Sequence, residues 1–119
     1  MSFQQESVVR AFATACASGR AAALRGLLTS EAVVISDGGG KVAAAVRPVR
    51  GAAPVARYVT ELLGAGPGTA LTVEAVNGEA GVVLRRSGAV AAVISLRVTG
   101  AKVAAVWIVL NPDKLRHWL

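Results

Sequence analysis

From Leu71 to Leu110 the chain is written as four apolar runs, "LTVEAV", "AGVVLRR", "AVAAVISLRV" and "KVAAVWIVL", parted by Asn77-Gly78, Ser87-Gly88 and Thr99-Gly100. Dipeptides of this kind supply the positive φ that tight hairpin turns require. Four runs joined so closely can only pair with their neighbours, which predicts an antiparallel meander. The last two runs are apolar at odd and even positions alike: Val90, Ile94 and Leu96 against Val93, then Val103, Trp107 and Val109 against Val106, Ile108 and Leu110. Strands patterned this way are covered on both faces. Helices can cover one face; the other must line an interior hollow, dock on a partner, or do both.

The helices are found upstream. In "SFQQESVVRAFATACASG", Ser2 and Gln5 have capping-box spacing, and Val9, Phe12, Ala13 and Cys16 share one face before Gly19 stops the run. "RAAALRGLL" reads as a second, shorter helical segment that groups Leu24, Leu27 and Leu28. The third helix runs from Pro54 to Leu63, with Val55, Tyr58, Val59, Leu62 and Leu63 on one stripe, Pro54 in its first turn and Gly64 at its C-terminal cap. Between the second and third helices, "EAVVIS" reads as a strand, "DGGG" as a hairpin turn and "KVAAAVRPV" as the return strand, which Pro48 restricts to an edge or to its last residues. The order helix, helix, hairpin, helix, meander predicts an α+β cone, three helices packed on a strongly curved antiparallel sheet. That order is similar to the NTF2-like, or SnoaL-like, architecture.

Residues 1–119 are expected to form one domain with a single core. Apolar residues make up 54% of the chain and aromatics 4%, so packing must come from aliphatic side chains. "VAAVWIVL" is far too short to span a bilayer, and "MSFQQESVVR" lacks the apolar region of a signal peptide. The lone Cys16 can form no internal disulfide. These features predict a cytoplasmic protein with no membrane partner. The formal charge of +6 is spread along the sequence, with "LRR" at 84–86 its longest cluster and no interleaved aromatics, so direct nucleic-acid binding by this domain is not expected.

Catalytic chemistry is thinly supplied. The one histidine, His117, is two residues from the C-terminus, and the carboxylates are Glu6, Glu31, Asp37, Glu61, Glu74, Glu79 and Asp113. A general base needs a partner that places it and a pKa moved toward working pH. Tyr58, Glu74, Arg97 and Trp107 are the candidates to line a pocket; a rim ion pair and a core aromatic are the commoner roles for Arg97 and Trp107. No metal site, no cofactor and no catalytic constellation is expected. "GAGPGTA" follows a helix and precedes a strand, the reverse of a dinucleotide fingerprint, and "GGGKV" lacks the following Ser or Thr and helix of a P-loop. The hairpin accounts for one or two of the three glycines. The surplus predicts mobility or another segment passing too close for a Cβ.

After the last strand, "LNPDKLRHWL" is able to start a short helix, with Asn111 as cap, Pro112 in the first turn and Asp113 at the positive end of the dipole. So short a helix must dock or fray, as a plug over the open end of the cone or as a tail for a partner.

"VVISDGGGKVAAAVRPVRGAAPVARYV", "VNGEAGVV" and the terminal "NPDKL" together closely resemble the SnoaL-like C-terminal domain of extracytoplasmic-function RNA polymerase sigma factors of the SigJ type. The resemblance extends upstream through "FATACASGRAAALRGLL" and covers nearly the whole chain. It implies a non-enzymatic regulatory domain that folds against the sigma core domains and controls their engagement of RNA polymerase and promoter. The implied contact residues are Asp37, Gly38, Gly39, Gly40 and Lys41 of the DGGGK segment, and Asn111, Pro112, Asp113, Lys114 and Leu115 of the NPDKL segment. The chain departs from the family pattern in opening almost directly into its first helix, without sigma domains. It is therefore read as a fragment of a sigma factor or as a stand-alone homologue; the alternative function is a small-molecule-binding or isomerase-like protein holding a ligand in the cone. A homodimer through the outer sheet face is compatible with either.

Overall fold

The structure, a computed structural model, describes residues 3–38, 47–64, 66–110 and 112–115. Its elements are α1 (Phe3–Ser18), α2 (Ala21–Arg25), β1 (Leu28–Asp37), β2 (Val49–Arg50), α3 (Ala52–Leu63), β3 (Thr69–Val76), β4 (Glu79–Arg86), β5 (Ala89–Thr99), β6 (Lys102–Val109) and α4 (Pro112–Leu115). The six strands form one sheet in the order β2-β1-β6-β5-β4-β3.

The meander is as expected. Asn77 and Gly78 have φ of 52° and 83°, Ser87 and Gly88 51° and 83°, so both hairpins turn on two residues with positive φ. The third turn falls one residue later than the sequence reading, on Gly100-Ala101 between the paired Thr99 and Lys102. Gly81 has a different purpose. A Cβ there would lie 2.6 Å from the Ile94 carbonyl oxygen and 2.7 Å from Val76 Cγ2, so β3 and β5 crowd it from both sides.

Three expectations need correction. The sheet is mixed, because β6 returns beside β1 and runs parallel to it, with Val34 opposite Val106 and Ile35 opposite Trp107. The second helix stops at Arg25, and Leu28 begins β1 opposite Val103 instead of joining Leu24 on a helix face. Pairing with a strand 75 residues away outweighs the weak helical preference of a five-residue segment. The return strand is also displaced: Val33 and Val34 take Arg50 and Val49 as partners, so the link between β1 and β2 is much longer than a tight DGGG turn. Residues 39–46 of that link lie outside the described residues. Pro48 immediately precedes β2, which is an edge strand as its presence required.

Helices α1, α2 and α3 cover the inner face of the sheet. Val9, Phe12 and Cys16 of α1, Leu24 of α2, and Val55, Val59 and Leu63 of α3 are fully buried against Val34, Val82, Leu84, Ile94, Val106 and Ile108. Ser2 lies outside the described residues, and the Gln5 side-chain amide donates to the carbonyls of Ala80 and Leu96 on β4 and β5. A second, smaller cluster is on the outer face, where Leu115 of α4 packs on Val76 and Val93 with Val90 and Val109 beside them.

Candidate functional site

The two motif segments meet at one end of the sheet. Because β1 and β6 are parallel neighbours, both end at the same side, with Asp37 opposite Val109. The Leu110 N–H donates to the Asp37 carbonyl at 2.7 Å, which ties the strand ends together. The chain then turns into α4, and Lys114 Nζ lies 2.6 Å from Asp37 Oδ2. An exposed pair of this kind contributes about 0–1 kcal/mol, so its effect is mainly to orient α4. Leu115 is 7% exposed. The tail therefore lies across the outer sheet face, instead of plugging the open end of the cone. A hollow of about 160 Å³ remains beneath it, lined by Val76, Asn77, Val93, Ser95 and Val109 along with Lys114 and Leu115. Gly38 is buried. Gly39, Gly40, Lys41 and Asn111 lie outside the described residues; Pro112 and Asp113 belong to α4.

Beside α4 the outer face is open. Strand alternation puts Ile35, Trp107 and Ser95 in one row across β1, β6 and β5, next to the row of Asp37, Val109 and Val93. Ile35 is 39% exposed and Trp107 38%; with Phe3 they are the exposed large hydrophobic side chains among the described residues. A tryptophan and an isoleucine paired on a surface, next to a charged pair, have the composition of an interface centre.

The four candidate pocket residues do not converge. Glu74 points away from the helices and accepts hydrogen bonds from Thr72 and from Arg85, whose Nη1 is 2.6 Å away. First the Arg85 bond and then the Thr72 bond hold the Glu74 carboxyl below the usual range, so it is a carboxylate locked in an ion pair and not a base near neutral pH. Arg97 is exposed and shares with Trp107, Gln5 and Glu79 an open hollow of about 330 Å³ at the end of the sheet. Tyr58 is on the other side, where its hydroxyl lies 2.8 Å from Ser36 Oγ between α3 and the inner face of β1. Among the described residues no three His, Cys, Asp or Glu side chains gather as a metal site. Burial pushes the Cys16 thiol up to about 12, so it is a neutral core side chain. His117 lies outside the described residues.

Sequence reasoning missed Ile35 and Ser36 because strand alternation gives each residue a face only once the register is known. The signal was present in "AVVIS", whose alternation with Trp107 becomes meaningful only through the parallel β1–β6 pair.

A scan against protein-family models finds no match, and a search of curated proteins finds none. Among solved structures, the chain is similar to the extracytoplasmic function sigma factor SigJ of Mycobacterium tuberculosis, with 30% identity and a TM-score of 0.72 over 95% of this chain and 44% of that one. The chain thus spans less than half the length of SigJ. A SnoaL-like family protein from Agrobacterium tumefaciens matches at 13% identity and a TM-score of 0.59, over 92% of this chain and 99% of that one. An LEH-like epoxide hydrolase from M. tuberculosis matches at 12% and 0.56, over 96% and 87%. The last two show the fold alone.

Proposed function

Because the chain is a SnoaL-like domain of the kind that SigJ-type extracytoplasmic-function sigma factors carry, we propose that it is a non-enzymatic regulatory domain that controls transcription initiation in the cytoplasm by contact with sigma core domains and, through them, RNA polymerase. The fold carries no such conclusion by itself, since it also serves an epoxide hydrolase. The observation that carries the reading is the Asp37–Lys114 pair, which joins the DGGGK and NPDKL segments beside exposed Ile35 and Trp107. In this reading Asp37, Gly38, Gly39, Gly40 and Lys41 form one side of the contact and Asn111, Pro112, Asp113, Lys114 and Leu115 the other. Trp107 is its apolar anchor, not a pocket residue.

The test is co-elution of this chain with the core domains of the sigma factor it matches, together with promoter-directed transcription in its presence. Trp107→Ala is expected to weaken the complex at least tenfold, a cost of about 1.4 kcal/mol or more. Asp37→Ala and Lys114→Ala are expected to weaken it less and to make it insensitive to added salt. Wild-type binding in all three variants would remove the outer face from the interface. Sedimentation of the isolated chain distinguishes a homodimer through the same face, which Trp107→Ala would dissociate without any sigma domain present.

A further inference from the structure

The positive charge that is scattered in sequence is gathered in the fold. Three ion pairs, Arg10–Glu6, Arg85–Glu74 and Lys114–Asp37, neutralise basic groups on α1, β4 and α4. Arg20, Arg25, Arg47, Arg50 and Arg57 are exposed and have no ion pair among the described residues. All five belong to α2, β2, α3 or the residues leading into them, and α2 and α3 pack on one another. Glu61, one turn beyond Arg57, is exposed and makes no ion pair with it. Between the two helices runs a groove of about 240 Å³ lined by Ala21, Ala22, Arg25, Ala53, Ala56 and Arg57. Its floor is methyl groups, and the charged side chains lining it are two guanidiniums, one from each helix.

We propose that this groove docks an acidic amphipathic helix of a partner protein, with Arg25 and Arg57 pairing to carboxylates on either side of an aliphatic residue seated on the alanine floor. A cleft between two packed helices has the shape that receives the side-chain ridge of a third. Alanine gives little area, so the binding energy must come mostly from charge, and guanidinium forks suit bidentate contact with carboxylates. Nucleic acid is the poorer fit, because a methyl floor offers base edges no donor or acceptor and the groove lining has no aromatic side chain on which bases could stack. The groove is on the helical side of the sheet, away from α4, and the inference does not depend on a sigma-core partner for the outer face.

The experiment is fluorescence anisotropy on the full chain with a labelled helical peptide that alternates Glu with Leu at amphipathic spacing, beside the same peptide with Gln for Glu. The Glu peptide should bind, weaken as salt is raised, and lose about tenfold or more in affinity for the Arg25→Glu/Arg57→Glu variant. Ala22→Phe, at an exposed position that keeps every charge, should also reduce binding by obstructing the groove. Lys102→Glu, on the β5–β6 side of the molecule, should bind as the parent does. Failure of the Glu peptide to bind, equal affinity for the Gln peptide, or undiminished binding by the double variant would each overturn the proposal. So would tighter binding of a DNA duplex or of phosphatidylserine vesicles with the same dependence on Arg25 and Arg57, since the groove would then serve phosphates.

Discussion

The two faces of one sheet are treated in opposite ways. On the inner face three helices bury Phe12, Leu24, Leu63, Leu84, Ile94 and Ile108 completely. On the outer face a four-residue helix, guided by one exposed ion pair, shields Val76 and Val93 and leaves Ile35 and Trp107 open to solvent. The strands between are apolar in both directions, so the difference lies in what covers them and not in their composition. Stability is generated where the covering is complete, and recognition is available where it is not.

Phe12→Ala is the strongest test of that division. It removes the largest side chain of the sealed layer and should cost about 3–5 kcal/mol, read as a lower denaturation midpoint with an unchanged slope. A loss below about 1 kcal/mol would mean that the inner layer repacks freely and is not the seat of stability. Leu115→Ala makes the equivalent deletion on the outer face. Its expected cost is about 1–2 kcal/mol, because a four-residue segment can fray instead of leaving a fixed cavity. Faster hydrogen exchange at the backbone of α4, with α1 to α3 unaffected, would accompany it. A loss as large as that of Phe12→Ala would make α4 part of the core and end the contrast.

The smallest effect is expected for Glu74→Gln. With its folded-state carboxyl held below the unfolded value by Arg85 and Thr72, Glu74 contributes stability above the unfolded carboxylate range, and that stability is lost as pH falls through the folded value. The variant should therefore show a flatter decline of stability between neutral and acidic pH than the parent. Identical slopes would mean that the pair is screened away by solvent.

Much of the fold was legible because its signals are local. The Asn77-Gly78 and Ser87-Gly88 turns follow from residue types that accept positive φ, and the buried face of α1 follows from the spacing of Val9, Phe12 and Cys16. Leu28 was misplaced because a five-residue helix and a strand start are indistinguishable until the partner, Val103, is known. The candidate site was half legible. Asp37 and Lys114 were marked by their motifs, but their contact spans 77 residues of chain and depends on β1 and β6 ending side by side. Glu74 and Arg97 were proposed for a pocket because a strand residue must face one side or the other, and only the register assigns the side.

The sequence by itself determined the α+β class, the meander and its tight turns, and the helical stripes that form the core, since each rests on periodicity or on backbone preferences a few residues long. Tertiary structure alone decided that β1 lies parallel to β6, that α4 folds over the outer face, and that Arg25 and Arg57, 32 positions apart in sequence, line one groove. Those outcomes are non-local pairings, and their energies depend on which surfaces meet when the whole sheet closes, so no short window of sequence encodes them.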